Sequence, residues 1–336
     1  MSNSNTNKLK REISVIIPNY NGKALLEKNI PSVIAALAKV PGNHEIIIPD
    51  DASSDDSIQY IKLNFPQIKI IENKVNKGFS PNINSGIFKA TKELVFALNS
   101  DVYLTEDYFS SLMEYFDDET TFGVMGRIVD LNGSKIQDGA KYPYQKGFQI
   151  KSTLNFLVRN NPSNYKVATF FLSGANALMD RKKLLEVNGY NEIYAPFYVE
   201  DVDLSLRAWR LGWKCYYEHK AVCQHPVSIT ISKYSKTNFV KTISIRNQII
   251  MQELHLEGIQ LLGWKIQLMF NVLTKWITFK SNFYKAFYMY LSLLSQIKKS
   301  KNDFKLLQKN KNISYSTTQI IKDIKRSNND FNIQKF

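Results

Sequence analysis

A doubly wound, mostly parallel α/β sheet followed by a helical basic extension is predicted by three observations in this 336-residue chain. Short, apolar, β-rich runs alternate with helix-like stretches through the first hundred residues, the pattern of buried parallel strands with crossover helices. Two of these runs end on acids, Asp50-Asp51 after His44–Ile48 and Asp101 after Leu94–Leu98, and a third acidic pair, Glu200-Asp201, follows Phe197-Tyr198-Val199. The charge is also split. Of the net +14, residues Pro226 to Phe336 carry 18 Lys/Arg against 5 Asp/Glu, whereas the first 225 carry 26 against 25. A nearly neutral domain therefore precedes a basic extension.

Glu12–Ile17 is the first strand signal, closed by the turn-rich Pro18-Asn19-Tyr20-Asn21-Gly22. A helix follows over Lys23 to Lys39, with Pro31 expected to break or restart it. Glu45–Ile48 is strand two. Ser53 and Ser54 are N-cap candidates, with Asp55 and Asp56 opposing the dipole of the next helix. Ile68–Ile71 is strand three, Pro81 to Thr91 a helix, Leu94–Leu98 strand four, and Thr105-Glu106-Asp107 a further helix start. Phe122–Val129 and Thr169–Met179 read as later strands, the second interrupted at Ser173-Gly174. Asp201 to Leu211 reads as a helix ending at Gly212, and Trp213–Tyr217 with Ala221–Cys223 close the sheet.

This divides the chain into a polar N-terminal tail (1–11), a catalytic-type domain (12–235), a basic aromatic helical extension (236–297) and a Lys/Asn-rich, poorly ordered tail (298–336). The first eleven residues contain no apolar stretch of the signal-peptide kind. No run of 18 apolar residues occurs, so a spanning helix is not expected. Cys215 and Cys223 lack zinc-type spacing and read as two buried thiols in a reducing compartment.

In open α/β sheets the ligand sits outside the carboxyl ends of the strands. Acids delivered there from distant parts of a chain point to metal and acid–base chemistry. Val15-Ile16-Ile17-Pro18-Asn19-Tyr20-Asn21, Asp50-Asp51-Ala52-Ser53-Ser54-Asp55, Asn76-Lys77-Gly78-Phe79 with Asn84, Asn99-Ser100-Asp101 and Tyr198-Val199-Glu200-Asp201-Val202-Asp203-Leu204 occur in that order. Together they resemble the family 2 glycosyltransferases of GT-A fold, in particular the rhamnosyltransferase-like branch, over about residues 12–250.

The resemblance implies a nucleoside-diphosphate-sugar donor and a role for each motif. Pro18 and Asn19 line the nucleoside pocket. Asp50 accepts from the base, with Asp51 beside it; as turn formers, both also have a structural reading. Gly78 lets backbone approach a ligand, and Asn84 either bonds the nucleotide or lies on a helix surface. Gly174 keeps space beside the donor sugar, or marks a strand bulge. Asp101 is the metal candidate for Mg2+ or Mn2+, with His225 completing coordination or serving as a structural histidine. Asn99 stands where the family often has an acid. Asp201 is the base, with Glu200 turned toward acceptor or sugar. Asp203 and Arg207 read as an i,i+4 support pair, and His219 as a turn residue.

The implied activity is inverting transfer to a hydroxyl of a cell-surface glycan or lipid-linked acceptor. The absence of Gln-x-x-Arg-Trp and of spanning helices argues against a processive synthase. A Rossmann dehydrogenase would need Gly-x-Gly-x-x-Gly where Pro18–Gly22 stands, and a nucleotidyltransferase would need a Gly-rich basic loop there. A non-catalytic, membrane-associated protein that keeps the fold is the remaining rival, favoured by Asn99. The basic extension admits nucleic acid, for which no recognition motif is present, a solvated helical face, or an anionic membrane surface at the cytoplasmic side, the reading preferred.

Overall fold

The computed structural model describes residues 11–159, 165–226, 238–275, 281–328 and 332–335. The N-terminal tail up to residue 10, and Trp276, Phe279 and Lys280 of the basic extension, lie outside the described residues.

Strands β1 (Ile13–Ile16), β2 (Glu45–Asp50), β3 (Lys69–Glu72) and β4 (Leu94–Leu98) alternate with helices α1 (Lys23–Ala38), α2 (Ser57–Asn64) and α3 (Phe79–Ile87). They pair in parallel in the order β3-β2-β1-β4. Ile13, Val15 and Ile17 enter one core while Ile16 enters the other; in β4, Leu94, Phe96 and Leu98 face one side and Val95 and Ala97 the other. Burial on both faces is why these strands read as continuous apolar runs. The sheet continues through β11 (Asn176–Asp180), antiparallel to both β4 and β6 (Thr121–Val129), then to β12 (Lys214–Gln224), parallel to β6, and β10 (Val167–Ala168). Short strands β5 (Tyr103–Leu104) and β7 (Ile136–Asp138) pair with β12 and β6. A second sheet contains β8 (Ala140–Lys146), β9 (Gln149–Arg159) and β13 (Asn332–Lys335). The expected α/β class holds, with the sheet mixed beyond β4.

Helices α4 (Arg181–Glu186) and α5 (Glu200–Arg210) complete this part. Helices α6 (Asn238–His255), α7 (Gly258–Thr274), α8 (Ser281–Ser292), α9 (Leu294–Lys311) and α10 (Thr317–Asn328) follow. Their buried residues, among them Ile250, Trp264, Phe283, Tyr290, Ile320 and Ile324, join the same core as Ile16, Ala97 and Leu206. The segment expected as a poorly ordered tail is therefore helical to Asn328. Ile320, Ile321 and Ile324 place an apolar stripe inside a Lys/Asn-rich sequence, and that stripe outweighs composition.

Other expectations are corrected. Helix α1 runs through Pro31, which lies on the solvent face while Ile30 and Val33 are buried against the sheet; packing carries the helix across the lost bond. Ser53 and Ser54 do not cap α2, which begins at Ser57 with Asp55 accepting from the Ser57 amide. Thr105 opens a run of i to i+3 turns leading to a 3-10 helix, Met113–Asp117, rather than an α-helix. The long strand expected from Thr169 shrinks to Asn176–Asp180. His219 lies within β12 at a register irregularity, bonded by Arg127 and Tyr217. Both cysteines are free and buried.

Candidate active site

The edge after β1 and β2 is built from each strand's last residues. Asn19 lies beside Asp50 in a parallel bridge; its amide donates to Pro49 O at 2.9 Å and its carbonyl accepts from the Asp51 amide at 2.9 Å. Asn19 Nδ2 donates to Asp50 Oδ1 at 2.7 Å, Ser53 Oγ donates to the same oxygen at 2.6 Å, and the Ser53 amide donates to Oδ2 at 2.8 Å. Asp50 is thus spent largely on its own loop and shapes the edge rather than presenting a bare carboxylate. Pro18 is half-buried beside it. Asp51 accepts from the Lys77 and Gly78 amides at 3.0 and 2.8 Å, which fixes the loop before α3.

Two expected donor contacts take internal roles. Gly78 has φ +90, and an added Cβ would lie 2.6 Å from Pro196 Cα; the backbone it lets approach is that of Pro196. Asn84 is buried; its Nδ2 donates to Tyr190 O at 2.8 Å and to Glu192 Oε1 at 3.1 Å, while Oδ1 accepts from the Tyr190 amide at 2.9 Å. Its amide staples the 190–192 loop to α3.

Asp101 and His225, expected as metal ligands, meet: His225 Nε2 lies 3.1 Å from Asp101 Oδ2. Gln137 orients the ring, since its Nε2 donates to His225 O at 3.0 Å and its Oε1 lies 2.8 Å from Nδ1. That arrangement makes Nδ1 a donor and aims the Nε2 edge of the ring at a carboxylate oxygen. Asp101 Oδ1 is buried and has no hydrogen-bond partner. A ring nitrogen and a carboxylate meet beside an unmatched carboxylate oxygen, a ligand set that suits a divalent cation. Among the described residues, no group of three or more His, Cys, Asp or Glu surrounds a common point; remaining ligands would come from substrate and water.

Asp201 stands in the first turn of α5. Its Oδ1 accepts from the Val202 amide at 2.8 Å, and the Gly174 amide also leans on its carboxylate. It is half-buried. Burial raises its pKa and the Asp138 charge adds to the rise, against the two amides and Lys141. Glu200 is buried with Oε2 unpartnered; burial, then the charges of Asp201 and Asp203, push its pKa up as well. A Cβ added at Gly174 would meet the Phe79 ring at 3.6 Å and Asp201 Cβ at 3.8 Å, ordinary contacts. The protein's own packing therefore does not demand glycine at this position.

Two links tie the Asp201 region to the Asp101 region. The Asn99 amide donates to Ala175 O at 3.1 Å, next to Gly174. Strand β7 carries both Gln137, which holds His225, and Asp138, whose charge acts on Asp201.

The sequence did not mark the residues that hold the loop before Glu200-Asp201. Tyr198 and Val199 have φ of +76 and +75, a costly conformation for a β-branched residue. Asn247 on α6, fully buried, places Nδ2 2.8 Å from Tyr194 O, 2.9 Å from Phe197 O and 2.8 Å from Tyr198 O. Arg246 donates to Asn247 Oδ1 at 2.9 Å, to Tyr194 O at 3.3 Å and to Ala195 O. Behind the loop, the expected Asp203–Arg207 pair is present at 2.8 Å and buried, and Arg207 also donates to Val187 O and Gly189 O. Burial alone would raise Asp203; the Arg207 guanidinium and His255 outweigh it and bring it down to about 2. Burial lowers His255, so it serves as a neutral Nε2–H donor to Asp203 at 2.8 Å, and Arg207 balances the charge.

Known proteins resemble this chain in sequence and in fold. The family model described as Glycosyl transferase family 2 matches residues 14–187. The GalNAc(5)-diNAcBac-PP-undecaprenol beta-1,3-glucosyltransferase of Campylobacter jejuni is 28% identical over 214 residues, 62% of this chain and 63% of that protein. The chain thus aligns with less than two thirds of that relative's length. The structure of GalNAc-T7 with UDP, GalNAc and Mn2+ matches with a TM-score of 0.64 at 15% identity, covering 95% of this chain and 57% of that one. The mannosyltransferase PcManGT of Pyrobaculum calidifontis, in complex with GDP-Man and Mn2+, matches with a TM-score of 0.52 at 13% identity, covering 95% and 86%. At those identities the structural likeness speaks for the fold.

Proposed function

The chain belongs to glycosyl transferase family 2, and from that premise we propose that it moves a sugar from a nucleoside-diphosphate donor to a hydroxyl of a cell-surface glycan or lipid-linked acceptor, with inversion and one or a few sugars at a time. The observation that carries this reading is the half-buried Asp201 carboxylate, held by the Val202 and Gly174 amides and linked through β7 to the Asp101–His225 pair. Asp201 Oδ2, the oxygen free of the Val202 amide, takes the acceptor hydroxyl proton as that oxygen attacks the anomeric carbon. One base opposite the leaving group gives in-line displacement and inversion. Asn19, Pro18, Asp50 and Asp51 form the nucleoside edge, with Asp50 acting through Asn19 and Ser53.

Asp101 and His225 would hold Mg2+ or Mn2+, which when bound neutralises charge on the diphosphate leaving group. Gln137 keeps the His225 ring in the required tautomer. Asn99 favours a second reading, a non-catalytic protein retaining the fold; the unpartnered Asp101 oxygen and the His225 geometry favour the catalytic one.

We place the protein peripherally on an anionic membrane surface at the cytoplasmic face. No described helix is long and apolar enough to cross a membrane. On α7, however, Ile259, Leu262, Ile266, Met269, Phe270 and Leu273 are all exposed, at the spacing of one helical face. Basic residues dominate the C-terminal third, and an apolar stripe with basic surroundings suits an anionic bilayer interface.

The test is a thermal-shift screen of nucleotide sugars with and without Mn2+ or Mg2+. A bound donor raises apparent stability by mass action. A shift with one nucleotide-sugar class that needs the cation and Asp101 supports the reading; no shift with any class overturns it.

A further inference from the structure

Between α6 and α8 lies a cavity of about 760 Å3, lined among others by Tyr198, Lys241, Ser244, Lys275, Ser281 and Asn282. Among the described residues that line it, none belongs to the strand-end edge that carries Asn19, Asp50 and Asp101, and none is an acid. Tyr198 is the link to the chemistry: it precedes Asp201 by three positions, and Asn247 holds its carbonyl.

The cavity's charge is concentrated and positive. Lys241 is exposed, and among the described residues no carboxylate pairs with it. The Lys275 ammonium lies 4.0 Å from the centre of the Phe283 ring, which also lines the cavity. A third lysine stands behind the wall: Lys151 Nζ donates to Gln248 Oε1 at 3.2 Å, and Gln248 Nε2 donates to Ser244 Oγ at 3.4 Å. Burial lowers the Lys151 pKa first, and the positive charges of Lys146 and Lys275 lower it further. Like charges held this close are relieved by an anion. Lysines serve phosphate as point charges, and the hydroxyls and amides of Ser244, Ser281 and Asn282 add neutral donors.

We propose that this cavity is an acceptor subsite that takes a phosphate or diphosphate group, the group through which the acceptor glycan is carried. The inference rests on the glycosyl-transfer reading and adds an anionic anchor on the acceptor side of Asp201. Two sources share that chemistry, a lipid-linked diphosphate and a soluble phosphorylated glycan.

The test uses the full chain in EDTA, so that a cation at Asp101 and His225 contributes nothing. Inorganic pyrophosphate, farnesyl diphosphate and farnesol are titrated by calorimetry. Both phosphorylated probes are expected to bind, and farnesol is not. Lys241→Glu and Lys275→Glu should each weaken binding at least tenfold, the scale of one charge-assisted hydrogen bond. Lys322→Glu, an exposed change on α10, makes the same change in net charge and should leave binding as it was. UDP binding in Mn2+ reports that each variant is folded.

Equal affinity for pyrophosphate and farnesyl diphosphate points to recognition of the anion alone; tighter farnesyl diphosphate points to the lipid carrier. Either supports the subsite. Unchanged binding in both lysine variants, or equal weakening in all three, overturns it. Lysine-dependent binding without any sugar transfer would sink the transfer reading and leave the anion site. Transfer with lysine-independent binding would sink this inference alone.

Discussion

Asn247→Ala separates the loop clamp from the fold. The Asn247 amide nitrogen lies within 2.9 Å of three carbonyls, and its two hydrogens fully satisfy two of them. Truncation removes these two and the bond that Oδ1 accepts from Arg246, about three net hydrogen bonds and roughly 3 kcal/mol. Part of that returns as the left-handed Tyr198 and Val199 relax, since such residues store about 1–3 kcal/mol each. The stability loss should stay near 3 kcal/mol or below, which leaves a protein of ordinary stability, about 5–15 kcal/mol, folded. The relaxing segment leads directly into Glu200-Asp201, however, and misplacement by about 1 Å costs roughly 100-fold in rate. The expected result is kcat down about 100-fold, UDP affinity unchanged and a melting temperature lower by a few degrees. Donor turnover, calorimetry with UDP and Mn2+, and thermal denaturation give the three numbers. A kcat within about threefold of the parent would refute the clamp, and parallel loss of UDP affinity would point to general damage instead.

Three further outcomes follow from the site. The Asp201 pKa is raised by burial and then by Asp138, so activity is present above that raised value and lost as pH falls through it. Asp138→Asn should move the acidic limb of the kcat/KM profile to lower pH; a limb that stays or rises contradicts the assignment. Arg207→Ala removes the main counter-charge of buried Asp203 and should destabilise by about 3–5 kcal/mol near neutrality. Asp203 is held down to about 2, so the pair's contribution is present above the ordinary carboxylate value and fades as pH falls toward 2. The melting difference should accordingly narrow between pH 7 and pH 3, and a constant difference would deny the charge role. Finally, Asp101→Asn should weaken Mn2+ binding in the presence of UDP by about tenfold or more, read by calorimetry; parental affinity would remove Asp101 from the metal site.

The strand-end acids were legible because each is local: a buried strand stops and an acid follows. Asp101 and His225 lie 124 positions apart, and only the family resemblance paired them. Where sequence reading went astray, the deciding partner was distant or was backbone. Asn84 on α3 carries no mark of its staple to Tyr190, 106 positions away. Asn247 acts on carbonyls, which have no sequence signature. In the C-terminal segment, Lys/Asn-rich composition hid the spacing of Ile320, Ile321 and Ile324, which buries α10. The β8–β9 hairpin had a readable signal in Gly147, at φ +59 between alternating segments.

The central claim is that Asp201 is the base of a sugar transfer. Asp201→Asn keeps the side chain's shape and removes its capacity to take a proton. The decisive measurement is single-turnover sugar transfer by this variant alongside its affinity for the donor nucleotide. The predicted result is nucleotide affinity within about twofold of the parent and transfer reduced by at least about 100-fold, the lower end of general-base catalysis. Transfer at near the parental rate would contradict it.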